Sequence, residues 1–273
     1  MFDRGIEIKT PGQIESMRAA GLVVGQTLEL LRGSAVAGVT TGDLDGIARD
    51  HIRSCGATSN FLGYHGFRGV ICTSVNDEVV HGIPGKRVLR DGDVISIDCG
   101  AIIDGWHGDA ATSVAIGQVP DDVTELMRVT EQALWRGIAA AALGGRVSDI
   151  SHAVETTVDA AGDYGIVEGY TGHGIGSAMH QPPNVANYGR PGRGPKLVKG
   201  LVLAVEPMVS LGTAQTRTLS DDWTVVTTDG SRAAHYEHTF TLTDTGTWVL
   251  TALDGGESML AELGVPYGGP SGA

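Results

Sequence analysis

Long apolar runs are missing from this chain of 273 residues. No stretch of about 18 consecutive apolar residues occurs, which excludes a membrane-spanning helix. The opening M-F-D-R-G-I-E-I-K-T lacks the basic and apolar regions of a secretory signal, so a cytoplasmic location is expected. Cysteine is scarce. Cys55, Cys72 and Cys99 form no C-x-x-C pair. An odd count without paired spacing predicts free thiols in a reducing compartment. Basic residues are outnumbered, 19 Lys and Arg against 32 Asp and Glu, for a net charge of −13. That balance excludes general binding to nucleic-acid phosphates.

What is present describes a globular protein. Hydrophobic residues make up 41% of the chain, and a chain near this length buries roughly three-quarters of its extended surface. Its 41 glycines are spread over turns and loops and form no low-complexity block. Thr10-Pro11-Gly12-Gln13 carries an N-cap, a first-turn proline and a capping box, and apolar residues follow at helical spacing through Leu31. A second helix is predicted over 43–55, with Leu44, Ile47, Ala48 and Ile52 on one face. A long helix over 121–143 and a shorter one over 148–161 make a second pair, and E-S-M-L-A-E-L from Glu257 predicts a last short helix.

The two pairs are copies. Shifted by 106 residues, Asp43 falls on Asp149 and Gly56 on Gly162, while Gly63-Tyr64-His65-Gly66 meets Gly169-Tyr170-Thr171-Gly172. Phe67 then falls on His173. A slightly larger shift sets Asp98 on Glu206, each after an apolar strand run. The period is too long for a solenoid. It predicts two related halves about a pseudo-twofold axis, sharing one site. The fold class that follows is α+β: a curved, largely antiparallel sheet with helices on its outer face.

The acidic residues mark that site. In 94–99, Ser96 and Asp98 share one face, and Ile95, Ile97 and Cys99 the other. Asp104-Gly105 predicts a two-residue hairpin that sets Asp98 opposite Ala111. Asp109 then lies on the same face, diagonal to Asp98 at roughly 7–8 Å. The second half supplies Glu206 at the end of G-L-V-L-A-V-E and Glu237 in H-Y-E-H-T-F. There 235–242 reads as one strand with His235, Glu237, Thr239 and Thr241 on the polar face. Between these lies G-H-G-I-G-S-A-M-H, with His173 and His180. Four carboxylates and a nearby imidazole predict a site for two divalent ions, of a softness that suits Mn, Fe, Co or Zn. Ions roughly 3.5–4 Å apart can lower the pKa of a shared water from about 15.7 toward 7, giving a hydroxide nucleophile. His81, in V-V-H-G-I-P, and His180 are candidate donors to a tetrahedral intermediate. The constellation predicts hydrolysis of an amide or ester. Spacing alone leaves His107 and His235 open as ligands, since each lies two residues before one on the same face.

At these residues the chain resembles the type I methionine aminopeptidases of the pita-bread fold, in their short bacterial form. G-Y-H-G, N-D-E-V-V-H-G-I-P, the D-x10-D spacing, G-Y-T-G-H-G-I-G, V-E-P-M and Y-E-H-T occur in family order over roughly residues 5–250. The resemblance implies that Asp98 holds one ion, that Asp109 and Glu237 bridge two, and that His173 and Glu206 hold the other. It leaves His107 and His235 beside the ligands as packing residues. It assigns proton transfer to Glu206, substrate amide contact to His81 and the oxyanion to His180. Phe61, Tyr64, His65, Phe67, Cys72, Met179 and Trp223 match the family's methionine pocket. Phe61, often smaller or Cys, and Met179, often Phe, depart from its usual pattern.

The implied cofactor is a pair of divalent ions (Co, Mn, Fe, Zn or Ni). The implied reaction removes the initiator methionine from nascent chains with a small second residue. One catalytic domain over 1–273 is expected, acting as a monomer, with a disordered tail from about residue 266. The ribosome is a candidate partner. The loop 211–230 is poor in Lys, and the nearby basic loop with Arg190, Arg193, Lys196 and Lys199 is the candidate substitute contact. A prolidase-type enzyme on the same fold is the rival reading, and its usual extra N-terminal domain is not expected in 273 residues.

Overall fold

The computed structural model describes residues 5–270. The first half contributes helices α1 (Pro11–Ser34) and α2 (Thr41–Ser54). Its strands are β1 (Thr58–Ser59), β2 (Ile71–Val75), β3 (Glu78–Val80), β4 (Val94–Ile103) and β5 (Trp106–Ala115). The second half begins with α3 (Asp121–Ala139) and α4 (Val147–Ala161). Five strands follow: β6 (Gly165–Ile166), β7 (Gly172–Gly174), β8 (Gln181–Val185), β9 (Val202–Val205) and β10 (Met208–Ser210). Then come β11 (Thr216–Thr218), β12 (Val225–Thr227), β13 (Ala233–His235) and β14 (His238–Leu242). β15 (Thr247–Val249) and α5 (Glu257–Glu262) end the fold. Among the described residues no helix is long and apolar enough to cross a membrane.

Local chemistry starts α1 where the sequence predicts, while α2 and α4 begin at Thr41 and Val147, ahead of the predicted 43 and 148. At α1 the Gln13 amide donates to Thr10 Oγ1 and Thr10 N donates to Gln13 Oε1, satisfying two of the N–H groups a helix start leaves open. The caps of α2 and α4 are copies at the predicted offset: Thr40 N donates to Asp43 Oδ2 at 2.9 Å, and Arg146 N to Asp149 Oδ2 at 2.7 Å. Helix α3 stops at Ala139, short of the predicted 143. Its last turn tightens, with Ala140 N bonding Gly137 O and Ala141 N bonding Ile138 O. The chain then turns so that Gly144, at φ 87°, donates to Leu197 O at 2.9 Å.

Asp104 and Gly105 take positive φ, 50° and 80°, and close the β4–β5 hairpin, as its two-residue turn requires. The resulting register sets Asp98 against Ala111 and Gly100 against Asp109. Strand β4 pairs with β2 and β5, and β9 pairs with β7 and β14, all antiparallel. The two half-sheets join where Ala111 and Glu237 exchange backbone bonds of 3.2 and 2.9 Å, and Thr239 Oγ1 donates to Asp109 O at 2.8 Å. Helices α1 and α2 cover the first half through Leu28, Leu31, Leu44, Ile95 and Ile97. Helices α3 and α4 cover the second through Leu134, Ile138, Ile150, Val205 and Phe240. The duplicated halves therefore meet along a sheet whose outer face is packed and whose inner face holds the acids.

Two strand expectations are corrected. The run 235–242 is not one strand: β13 pairs with β10, β14 pairs with β9, and the break falls at Tyr236-Glu237. Glu206 likewise lies just past the end of β9. The cause is Pro207, which has no N–H to give the ladder; its carbonyl instead accepts from Tyr236 N at 3.3 Å. The expected disordered tail is also corrected over 266–270. Pro266 O accepts from Thr247 N, Gly268 N donates to Thr247 O, and Tyr267 packs against the core. The remainder of that tail, 271–273, lies outside the described residues.

Candidate metal centre

Five side chains converge on a cavity of about 110 Å³: Asp98 from β4, Asp109 from β5, His173 from β7, Glu206 after β9 and Glu237 before β14. Alternation along the hairpin turns Asp98 and Asp109 inward. The breaks after β9 and before β14 do the same for the glutamates. One ligand atom from each of Asp109, His173 and Glu237 lies within 4.8 Å of the others. His173 Nε2 is 3.6 Å from Glu206 Oε1. Its Nδ1 lies 3.0 Å from Gly174 O. A carbonyl only accepts, so Nδ1 carries the hydrogen and Nε2 presents its lone pair to the cavity.

These carboxylates are uncompensated. Burial, reinforced by their neighbours' charges, pushes Asp109, Glu206 and Glu237 well above the ordinary range, and burial raises Asp98 to about 7. Oδ1 of Asp98, Oδ1 of Asp109 and Oε1 of Glu237 are buried and have no hydrogen-bond partner among the described residues. Among the described residues no lysine or arginine lines the cavity. Buried acids without partners are expensive unless a cation joins them. Orphaned hard oxygens beside one imidazole lone pair fit divalent ions.

Two further histidines face the same space. His81 follows β3 with φ at 62° and stacks edge-on between Tyr170 and Trp223, at 5.8 and 6.1 Å. Burial, then His180, pushes its pKa down to about 4. His180 lies across the His173 ring at 4.4 Å, and its Nδ1 is 2.9 Å from the Tyr64 hydroxyl. The apolar end is walled by Phe61, Phe67, Cys72, Met179 and Trp223, with Phe67 edge-on to Trp223 at 5.0 Å. Burial pushes the Cys72 thiol up, so it stays a neutral wall.

His65 is the one predicted pocket residue that does not line the cavity. It is exposed, at φ 45°, and packs edge-on against the outside of Tyr64. Neither His107 nor His235 lines it either. His235 is fully buried behind the site, with Nε2 3.8 Å from Glu206 Oε2. Three contributors were missed by the sequence reading. Val80 lines the cavity, Tyr170 supports His81, and buried Asn187 donates to the Glu206 carbonyl at 3.1 Å. Val80 and Tyr170 sit inside motifs that sequence reading picks out. Asn187 carries no such signal.

A buried acid-and-imidazole cluster at the seam of a duplicated α+β sheet defines a metallopeptidase. The profile of metallopeptidase family M24 matches residues 15–244, and the chain belongs to that family. It is 53% identical to a methionine aminopeptidase of Clostridium acetobutylicum, over 90% of this chain and 98% of the relative. It is 50% identical to methionine aminopeptidase 1 of Mycobacterium tuberculosis, over 91% and 96%. The crystal structure of the Thermotoga maritima methionine aminopeptidase superimposes with a TM-score of 0.89 at 41% identity, covering 90% of this chain and 99% of that one. Within M24 the fold is the pita-bread fold and the activity is that of a type I methionine aminopeptidase, removal of N-terminal methionine.

Proposed function

We infer that the chain excises the initiator methionine from proteins and peptides with a small second residue, using two divalent ions. The observation that carries this reading is the buried group of Asp109, His173 and Glu237 with its orphaned oxygens. Asp98 would hold one ion, Asp109 and Glu237 both, and His173 and Glu206 the other. Such ions, when bound, supply Lewis acidity that polarises the peptide carbonyl and makes a water ionise near neutral pH.

The chain's own side chains supply the rest. The apolar wall of Phe61, Phe67, Cys72, Met179 and Trp223 takes an unbranched thioether, with Met179 and Cys72 adding polarizable contacts. His180, held through Nδ1 by Tyr64, offers Nε2 to the developing oxyanion. His81, kept neutral by burial, contacts the scissile amide and its leaving nitrogen. Glu206 takes the proton of the attacking water and returns it to that nitrogen. The whole chain acts as one catalytic domain, a cytoplasmic monomer working on nascent N-termini. Exposed Arg190, Arg193 and Lys196 offer the ribosome a basic contact, and Lys199 pairs there with Asp244.

A metal-reconstituted assay on short peptides tests the reading. Peptides beginning Met-Gly and Met-Ala should lose methionine, and Xaa-Pro peptides should stay intact. Faster cleavage of Xaa-Pro than of Met-Gly would overturn the substrate assignment. Calorimetric titration should find two ions per chain, and Asp109→Asn should weaken both; a normal two-ion isotherm in that variant would sink the bridging role.

A further inference from the structure

The loop 175–180 joins β7 to β8 and carries both Met179 and His180. Its anchor comes from the opposite end of the sequence. Glu7 Oε2 accepts from both the Ser177 amide and the Ser177 hydroxyl, each at 3.1 Å. Gln181 Nε2 donates to the same hydroxyl at 3.1 Å. The Lys9 side chain is 1% exposed; its Nζ donates to Glu7 O at 3.1 Å and lies 3.6 Å from Glu7 Oε2 and 3.5 Å from Gln181 Oε1. Its stem crosses Gly176 so closely that a Cβ there would sit 2.7 Å from Nζ.

Segment 7–9 is itself held firmly. Lys9 N donates to Gly200 O at 2.8 Å, Ile8 bridges Leu201, and α1 begins two residues after Lys9. On the loop's far side His107 N donates to Gly176 O at 3.0 Å. Lysine is almost never this buried without a partner. Burial pushes its pKa down to about 8 against the pull of Glu7. An ordinary surface ion pair would leave the ammonium in water, so this one is built into the loop's underside.

We propose that Glu7 and Lys9 are positioning residues, a clamp that fixes the 175–180 loop so that Met179 closes the cavity and His180 stays aimed at the reacting carbonyl. The proposal rests on the reading of His180 as the oxyanion donor. Ser177 lies three residues before His180, so an anchored Ser177 leaves the loop little slack. A displacement of about 1 Å at a reacting group can cost roughly 100-fold in rate. A clamp this far from the chemistry therefore acts on turnover through His180 and on KM through Met179.

The test is a double-mutant cycle on the metal-loaded full chain, with amide hydrogen exchange at Ser177 as the second readout. Glu7→Ala should keep its metal content and lose about 10-fold in kcat/KM, the scale of one charge-assisted hydrogen bond. Glu7→Gln, which keeps an acceptor oxygen, should recover most of that loss. In a His180→Ala background the same Glu7→Ala change should cost less than about 2-fold in kcat, because coupled residues are not additive. Ser177 exchange should quicken with Glu7→Ala in either background. Equal kcat losses in both backgrounds, or unchanged exchange at Ser177, would overturn the clamp. If Glu7→Ala fails to fold, Ser177→Ala runs the same cycle by removing one donor. Unchanged turnover in His180→Ala alone would sink the oxyanion reading instead, and the clamp would then stand or fall on Ser177 exchange and on a rise in KM.

Discussion

Replacing Asp98 with Asn should stabilise the metal-free protein at neutral and alkaline pH while leaving it nearly unchanged in acid. Asp98 is buried, its Oδ1 has no partner among the described residues, and burial raises its pKa from 3.8 to about 7. In the unfolded chain the carboxyl titrates near its ordinary value. Between those two pH values the unfolded state has released a proton that the folded state still holds. The stability linked to this group is therefore complete below the unfolded pKa and drains away as pH rises to the folded one. A shift of about three units, at about 1.4 kcal/mol each, makes the loss about 4 kcal/mol above pH 7. The amide does not titrate, and because the Asp98 charge also raises Asp109, Glu206 and Glu237, the difference between wild type and variant reads Asp98 together with its hold on those neighbours. This matters because the histidines run the other way: His81 and His173, pushed down to about 4, and His235, to about 3, cost stability as pH falls. Chemical denaturation in chelator, from about pH 4 to about pH 8, should show the two proteins converging in acid and the variant ahead in base. Added divalent metal should reverse the order, because in the proposed ligand assignment Asp98 holds one of the ions. A wild type at least as stable as the variant at every pH in chelator would refute the claim that Asp98 is an uncompensated buried acid.

Three substitutions probe other parts of the site. His180→Ala should retain metal and lose about 10²–10³-fold in kcat, the usual loss for one oxyanion donor; steady-state turnover of a Met-Gly peptide reads this, and unchanged kcat would contradict the role. Tyr64→Phe keeps the pocket wall but removes the hydroxyl 2.9 Å from His180 Nδ1. A neutral hydrogen bond of this kind is worth about 2–10-fold, so kcat should fall by that factor with KM little changed; a rise in KM alone would argue against it. Gly108→Ala would put a Cβ 2.8 Å from the Gly21 backbone nitrogen of α1. Neither backbone can swing aside, so overpacking should cost about 1–3 kcal/mol in a denaturant titration, and an unchanged midpoint would show that α1 can move off β5.

Much of this molecule is local and so was legible without coordinates. Capping residues start α1 because their side chains answer open backbone groups within three residues, and the apolar face of α2 shows in its periodicity. The Asp104-Gly105 turn and the two-residue period of a strand put Asp98 and Asp109 on one face, whatever packs behind them. The offset that aligns the helix pairs also revealed the two halves. Local rules miss what depends on distant neighbours. Pro207 breaks the ladder for a partner strand some thirty residues on, splitting a run that alternation alone makes continuous. His65 sits in the same motif as Tyr64 yet faces outward, because its left-handed backbone turns it there. Tyr267 gains order from Thr247 and the core, which composition could not foretell.

The chain alone determined which acids and imidazoles are candidate ligands, their pairing across a duplicated sheet and the class of reaction, since these follow from residue chemistry at fixed spacing. Only tertiary packing decided which histidines reach the cavity, how Asn187 steadies Glu206, and that Glu7 and Lys9 grip a loop 170 residues away. Such contacts arise where separate elements dock, and side-chain periodicity carries no record of what a face will meet.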